Sequence, residues 1–194
     1  KDVILTHLHF DHAGNVDRFP NATFHVQRAE YEGWKEVYEM PPPLGTDTKM
    51  WPLSSMNKVD LDTVDALMAD GRVNLLDGDT EFAPGVTCRL AADSHTFGCQ
   101  WIEVQTSGGP YVVAGDCVYW YVNIEKMWPP AYVQGNTWNL IKVYRAIRDA
   151  LGDDTDRIVP GHDPELFERH PVFVAGAHPV AEVHLAPGQE SRIA

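Results

Sequence analysis

The chain is poor in cysteine, in basic residues and in long apolar runs, and each shortage excludes a class of protein. Its three cysteines, Cys88, Cys99 and Cys117, form no C-x-x-C pair and cannot all be paired. A disulfide framework is therefore not expected, and a reducing compartment, the cytoplasm, is the simpler assumption. Lysine and arginine number 15 against 28 aspartates and glutamates, a formal net charge of -13. That balance argues against a nucleic-acid groove, which needs a basic surface. No apolar run approaches the length of a membrane span, and repeats and low-complexity tracts are absent. What is present is 194 residues with 44% hydrophobic content, enough to bury the core of one globular domain over residues 1–194.

Against that background, His7-Leu8-His9-Phe10-Asp11-His12 places three imidazoles and a carboxylate within six residues, directly after the apolar Val3-Ile4-Leu5. An extended segment sends alternate side chains to one side, so His7 and His9 can converge on one ion while Asp11 and His12, around the next turn, face another. Imidazole nitrogen and carboxylate oxygen are the ligands zinc accepts, at roughly 2.0 to 2.2 Å. Iron, manganese or cobalt tolerate the same set, and the sequence does not choose among them. The alternative, an exposed loop that merely happens to be rich in histidine, needs four ligand-type residues to coincide at this spacing.

Three downstream segments end apolar strand patterns in a ligand-type residue: His95 in Asp93-Ser94-His95-Thr96, Asp116 after Val112-Val113-Ala114-Gly115, and His162 after Ile158-Val159-Pro160-Gly161. Each is weak alone, since a lone histidine is more often a core or surface residue and an aspartate after a strand more often forms a turn. Their shared placement at strand ends, where ligands of α/β proteins collect, completes a set of seven.

HLHFDH, SHTFG, Gly115-Asp116 and Gly161-His162, in that order, resemble the metallo-β-lactamase superfamily over nearly the whole chain. The resemblance implies an αββα sandwich holding two divalent metal ions, zinc foremost. One is held by His7, His9 and His95 and the other by Asp11, His12 and His162, with Asp116 bridging both. Within the superfamily, residues 6–16 and Val26-Gln27-Arg28-Ala29-Glu30-Tyr31 are similar to the N-acyl-homoserine lactonase branch. In that branch a tyrosine three residues after the bridging aspartate holds the lactone carbonyl, and Tyr119 stands at that offset. On composition alone, Tyr119 fits equally well as one member of an aromatic cluster with Trp120 and Tyr121.

The activity implied is opening of a lactone ring by a hydroxide held between two metals, with Asp11 passing the proton to the leaving alkoxide. Alternatives are another hydrolase of the superfamily, such as a glyoxalase II type thioesterase, a β-lactamase or a dehalogenase, or a non-catalytic metal-binding chain. The expected partner is a small lactone or ester, with a homodimer left open.

The pattern has departures. Ser94 replaces the usual glycine before the third-site histidine, and Cys99 stands where a second histidine often follows, an expected change in substrate or outer contacts. Ala13-Gly14-Asn15 is one glycine shorter than the commoner turn, and Cys117 sits beside Asp116 without replacing it. The first motif begins at residue 7 with no initiating methionine, so the resemblance implies an N-terminally truncated fold that lacks upstream strands.

The remaining pattern predicts strands at 3–5, 23–26, 73–76, 86–90, 101–105 and 111–114, and helices at about 29–38, at 62–69 and along the face of Leu140, Ile141, Tyr144, Ile147 and Leu151. Residues 41–57 read as a surface excursion, either a substrate lid or a loop packing its aromatics on the body. The aromatics between Tyr119 and Trp138 read either as core or as an apolar wall beside the metals. His25, His170, His178 and His184 match no site motif.

Overall fold

The structure, a computed structural model, describes residues 1–41 and 55–184. Two sheets form its centre. In the first, β1 (Asp2–Ile4), β2 (Thr23–Gln27) and β3 (Val73–Leu76) run parallel in the order β1-β2-β3. The short α1 (Phe10–Ala13) follows β1, and α2 (Arg28–Glu39) and α3 (Lys58–Ala69) lie between β2 and β3 in the chain. Parallel strands require such helical crossovers.

The second sheet runs β4 (Thr80–Ala83), β5 (Val86–Ala92), β6 (Gly98–Thr106), β7 (Gly109–Gly115) and β8 (Ile158–Pro160), in chain order. Its first four strands pair antiparallel, whereas β8 joins β7 in parallel. Between those two strands the chain makes α4 (Tyr121–Glu125) and α5 (Thr137–Leu151). The short α6 (Leu166–Arg169) then leads to a separate antiparallel pair, β9 (Val172–Ala175) and β10 (His178–Ala181).

Three clusters of buried side chains fix the layers. Phe24, Val26, Trp34, Tyr38, Leu61 and Val64 pack the first sheet against α2 and α3. Val112, Ala114, Leu140, Tyr144 and Ile147 pack the second sheet against α5. Between the sheets lie Leu76, Cys88 and Ile102, with Ile4 and Phe82 against them. The result is the helix, sheet, sheet, helix order that the resemblance implies, and it leaves the strand ends of both sheets free to carry loops to one region.

Where structure and sequence pattern part, local chemistry explains the difference. The third helix starts at Lys58 rather than 62, because Leu61, Val64 and Leu67 form one buried stripe and Asp60 complements the first turn. β4, β9 and β10 are absent from the pattern reading. Each has only four residues, too few for alternation to stand out. The lid reading of 41–57 falls mostly outside the described residues. At its end Met56 is buried, and its carbonyl accepts the Tyr38 hydroxyl at 2.6 Å. Among the described residues no helix is long and apolar enough to cross a membrane.

Candidate metal centre

Strand ends deliver the ligand-type residues. β1 is followed by an extended run through His9, whose own backbone (φ -61, ψ 154) opens α1, so that Asp11 and His12 sit on a helical turn. His95 lies in the turn between β5 and β6, where the Asp93 amide bonds the Phe97 carbonyl at 2.9 Å. Asp116 follows β7, and His162 comes two residues after β8. The parallel pairing of β7 with β8 sets the last two side by side. The chain between Gly115 and Tyr119 is tied to the loop after β8 by Gly161 N to Val118 O (2.9 Å) and His162 N to Tyr119 O (3.0 Å).

The seven residues gather into two groups, His7, His9, His95 and Asp116 in the interior and Asp11, His12 and His162 toward the surface. Asp116 touches both. Its Oδ2 lies 3.3 Å from His95 Nε2 and 3.7 Å from His7 Nε2. Its Oδ1 lies 3.1 Å from both His12 Nε2 and His162 Nε2. Asp11 Oδ2 closes the outer group at 3.6 Å from His12 and 3.5 Å from His162.

These atoms converge without satisfying one another. His7 Nε2, His12 Nε2 and Asp116 Oδ1 are buried and make no hydrogen bond. Such orphans are costly unless something else binds them. Each side chain offers a lone pair to the same small space, which is the donor chemistry of a divalent cation site.

Charge follows the same logic. Burial, with His9 and His95 close by, holds His7 well below the usual imidazole range. Burial and then His95 lower His9 to about 3. Neutral imidazole is the form that binds metal. Burial would also lower His12, but its contact with Asp116 and the charges of Asp116 and Asp11 outweigh that and raise it. Asp116, though burial opposes its charge, is held below the carboxylate range by His12, His95 and His7.

Tyr119 stands between the groups. Its ring lies 5.1 Å from that of His95 and 5.2 Å from that of His162, and its hydroxyl is 3.5 Å from His95 Nε2. Burial first, and then the Asp116 charge, push its hydroxyl upward, so it stays protonated at neutral pH. A cavity of about 190 Å³ opens here, lined also by Phe10, Ser55, Tyr132 and Gln134. Of the other aromatics, Tyr121 is core, while Trp120, Trp128 and Trp138 are exposed. The pocket wall is thus narrower than the sequence suggested.

Two residues escape a sequence reading. Gln134 Oε1 accepts from His9 Nε2 at 2.9 Å and its amide donates to the Ser55 hydroxyl, which leaves His9 Nδ1 to face His95 Nε2 at 3.2 Å. Nothing in the residues around Gln134 marks it. Glu30 bonds both inner loops and sits in the Val26 to Tyr31 stretch, where its identity was visible but its contacts were not. Cys99 is buried at 3.2 Å from the Cys117 sulfur, so it meets neighbours in the core rather than substrate. His25, His170, His178 and His184 join neither group.

Comparison with known proteins identifies the family. Residues 1–162 match the Metallo-beta-lactamase superfamily. An N-acyl homoserine lactonase of Bacillus sp is 26% identical over 172 residues, covering 88% of this chain and 59% of that protein. The N-acyl homoserine lactonase AttM of Azorhizobium caulinodans is 28% identical over 176 residues, covering 86% and 59%. The chain thus spans about three-fifths of the length of these curated relatives.

Among solved structures, the hydrolase AbOPH of the beta lactamase superfamily superposes with a TM-score of 0.66 at 21% identity, covering 91% of this chain and 61% of that one. A quorum-quenching N-acyl homoserine lactone hydrolase does so at 0.61 and 23%, covering 88% and 60%. The fold implied by the sequence motifs is the observed one. With its four layers, its converging histidines and a match across most of its length, the chain belongs to the metallo-beta-lactamase superfamily.

Proposed function

We propose that this protein is a metal-dependent hydrolase that opens lactone rings of the N-acyl-homoserine type, using two divalent ions. His7, His9 and His95 would hold one ion and Asp11, His12 and His162 the other, with Asp116 shared. The observation that carries the reading is Asp116 itself, whose two oxygens face the two histidine groups at 3.1 to 3.7 Å. When bound, the ions supply Lewis acidity toward an ester carbonyl and a water that loses its proton near neutral pH.

The chain's own residues do the rest. The protonated Tyr119 hydroxyl borders the cavity and donates a hydrogen bond to the carbonyl oxygen as negative charge develops there. Asp11, exposed at the cavity edge, would take the proton of the attacking water and pass it to the leaving alkoxide as the ester C–O bond breaks. About 190 Å³ suits a small ring at the reacting centre rather than a whole acylated molecule. The acyl chain then extends past Phe10 and Tyr132. Support for the lactone class comes from the curated relatives, and zinc is the first metal to try.

The test is metal content of the purified protein together with turnover of a panel of lactones, thioesters and β-lactams, with Asp116→Ala as control. Two equivalents of metal and lactone turnover, both reduced in the variant, is the expected result. Metal without lactone turnover moves the protein to another substrate class, and no metal overturns the reading.

A further inference from the structure

Glu30 is a carboxylate with no exposed surface, on the first turn of α2. Its Oε1 accepts the Leu8 amide at 3.0 Å and the Trp34 indole at 2.9 Å. Its Oε2 accepts the Thr96 hydroxyl at 2.5 Å and the Gly98 amide at 2.8 Å. All four partners are neutral donors, and three of them belong to two loops far apart in sequence. Leu8 lies between His7 and His9, and Thr96 adjoins His95. Trp34, held by the same carboxylate, sets its ring edge-on to His9 with centroids 5.9 Å apart.

A buried carboxylate is expensive, and hydrogen bonds to the charged group are the strong kind that offset it. The bland account is that Glu30 simply ties a helix to the body of the protein. That account predicts contacts distributed over the helix surroundings. Instead the two oxygens divide between the two loops that carry all three histidines of the inner group.

We propose that Glu30 is a positioning residue for that group, one carboxylate clamping the 7–9 segment and the 95–98 turn at the separation His7, His9 and His95 need to share an ion. The assignment rests on the metal-centre reading above. It concerns the ligand loops, not the substrate. An isosteric amide breaks the clamp on one side whichever way it turns, because its NH2 must face either Leu8 N and the Trp34 indole or Thr96 Oγ1 and Gly98 N.

The experiment compares wild type, Glu30→Gln, Thr96→Val and the remote core change Ile147→Val by circular dichroism, chelator-competition titration with Co(II), and the Co(II) absorption spectrum. Glu30→Gln is expected to lose about tenfold or more in affinity for the tighter Co(II) and to change its visible spectrum, while Ile147→Val lowers thermal stability and leaves both unchanged. Thr96→Val removes one clamp contact and leaves α2 intact, so it reports even where Glu30→Gln does not fold. It should weaken the same ion by at least threefold.

Unaltered affinity and spectrum in a folded Glu30→Gln, or in Thr96→Val, overturn the assignment while leaving the metal centre in place. A folded wild type that takes up no Co(II) overturns the metal centre, and the role of Glu30 with it.

Discussion

At the level of single residues, the sharpest prediction concerns Tyr119. Its hydroxyl is 3.5 Å from His95 Nε2, and its ring is flanked by His95 and His162. Replacement by phenylalanine removes one donor and keeps the ring. If the hydroxyl stabilises the developing oxyanion, Tyr119→Phe lowers lactone kcat/KM by about 10 to 100-fold, or about 1.4 to 2.7 kcal/mol, with metal content unchanged. Steady-state kinetics beside metal analysis decide it. Unchanged turnover returns Tyr119 to the role of a packed aromatic. Residues of this kind were legible in the sequence because a ligand cluster is local: His7, His9, Asp11 and His12 announce themselves within six positions. Gln134 was not, because its contact with His9 spans 125 residues and depends on the loop between α4 and α5 reaching back to β1. No local pattern encodes such a meeting.

At the level of elements, two glycines separate site geometry from helix stability. Gly161 sits between β8 and His162, where an added Cβ would stand 2.6 Å from Asp116 Oδ1 and 2.9 Å from the Gly115 carbonyl. Neither neighbour can retreat without moving the carboxylate shared by the two groups. Gly161→Ala is therefore expected to weaken metal binding by about tenfold or more. Gly152 ends α5 with φ 63 and nothing within 4 Å, so Gly152→Ala meets only backbone strain, about 1 kcal/mol, and keeps metal affinity. Chemical denaturation and metal titration on both variants check the contrast. Equal metal affinity in the two would show that Asp116 is less tightly framed than its contacts imply. The helix ending at Gly152 was legible because fifteen residues repeat the buried face four times over. Short strands such as β4, β9 and β10 were not, since their pairing comes from neighbours rather than from their own alternation.

For the molecule as a whole, the buried histidines tie metal-free stability to pH. His7 and His9 are held far below 6.5, His9 at about 3, so below 6.5 the unfolded chain binds protons that the folded chain refuses. Folding stability is then lost as pH falls through 6.5, by at most about 1.4 kcal/mol per pH unit for each group. His12 is raised and works in the opposite sense. Its contribution is full below 6.5 and disappears as pH rises through its folded value, so it adds no slope in the window from 6.5 to 5. Asp116, depressed below 3.8, keeps its full contribution across the window from 6.5 to 5 and adds no slope there. A formal charge of -13 relaxes on acidification and opposes the loss. The imidazole effect is isolated by His9→Gln, which removes one depressed group and leaves the background unchanged. Urea unfolding of metal-free protein at pH 7.0, 6.0 and 5.0 should show wild type losing about 1 kcal/mol per pH unit more than His9→Gln. Parallel slopes would mean that water enters the inner group when the ions are removed. In that case the orphaned nitrogens of His7 and His12 are hydrated in the apo protein, and the convergence of the seven side chains depends on the metal rather than on the scaffold.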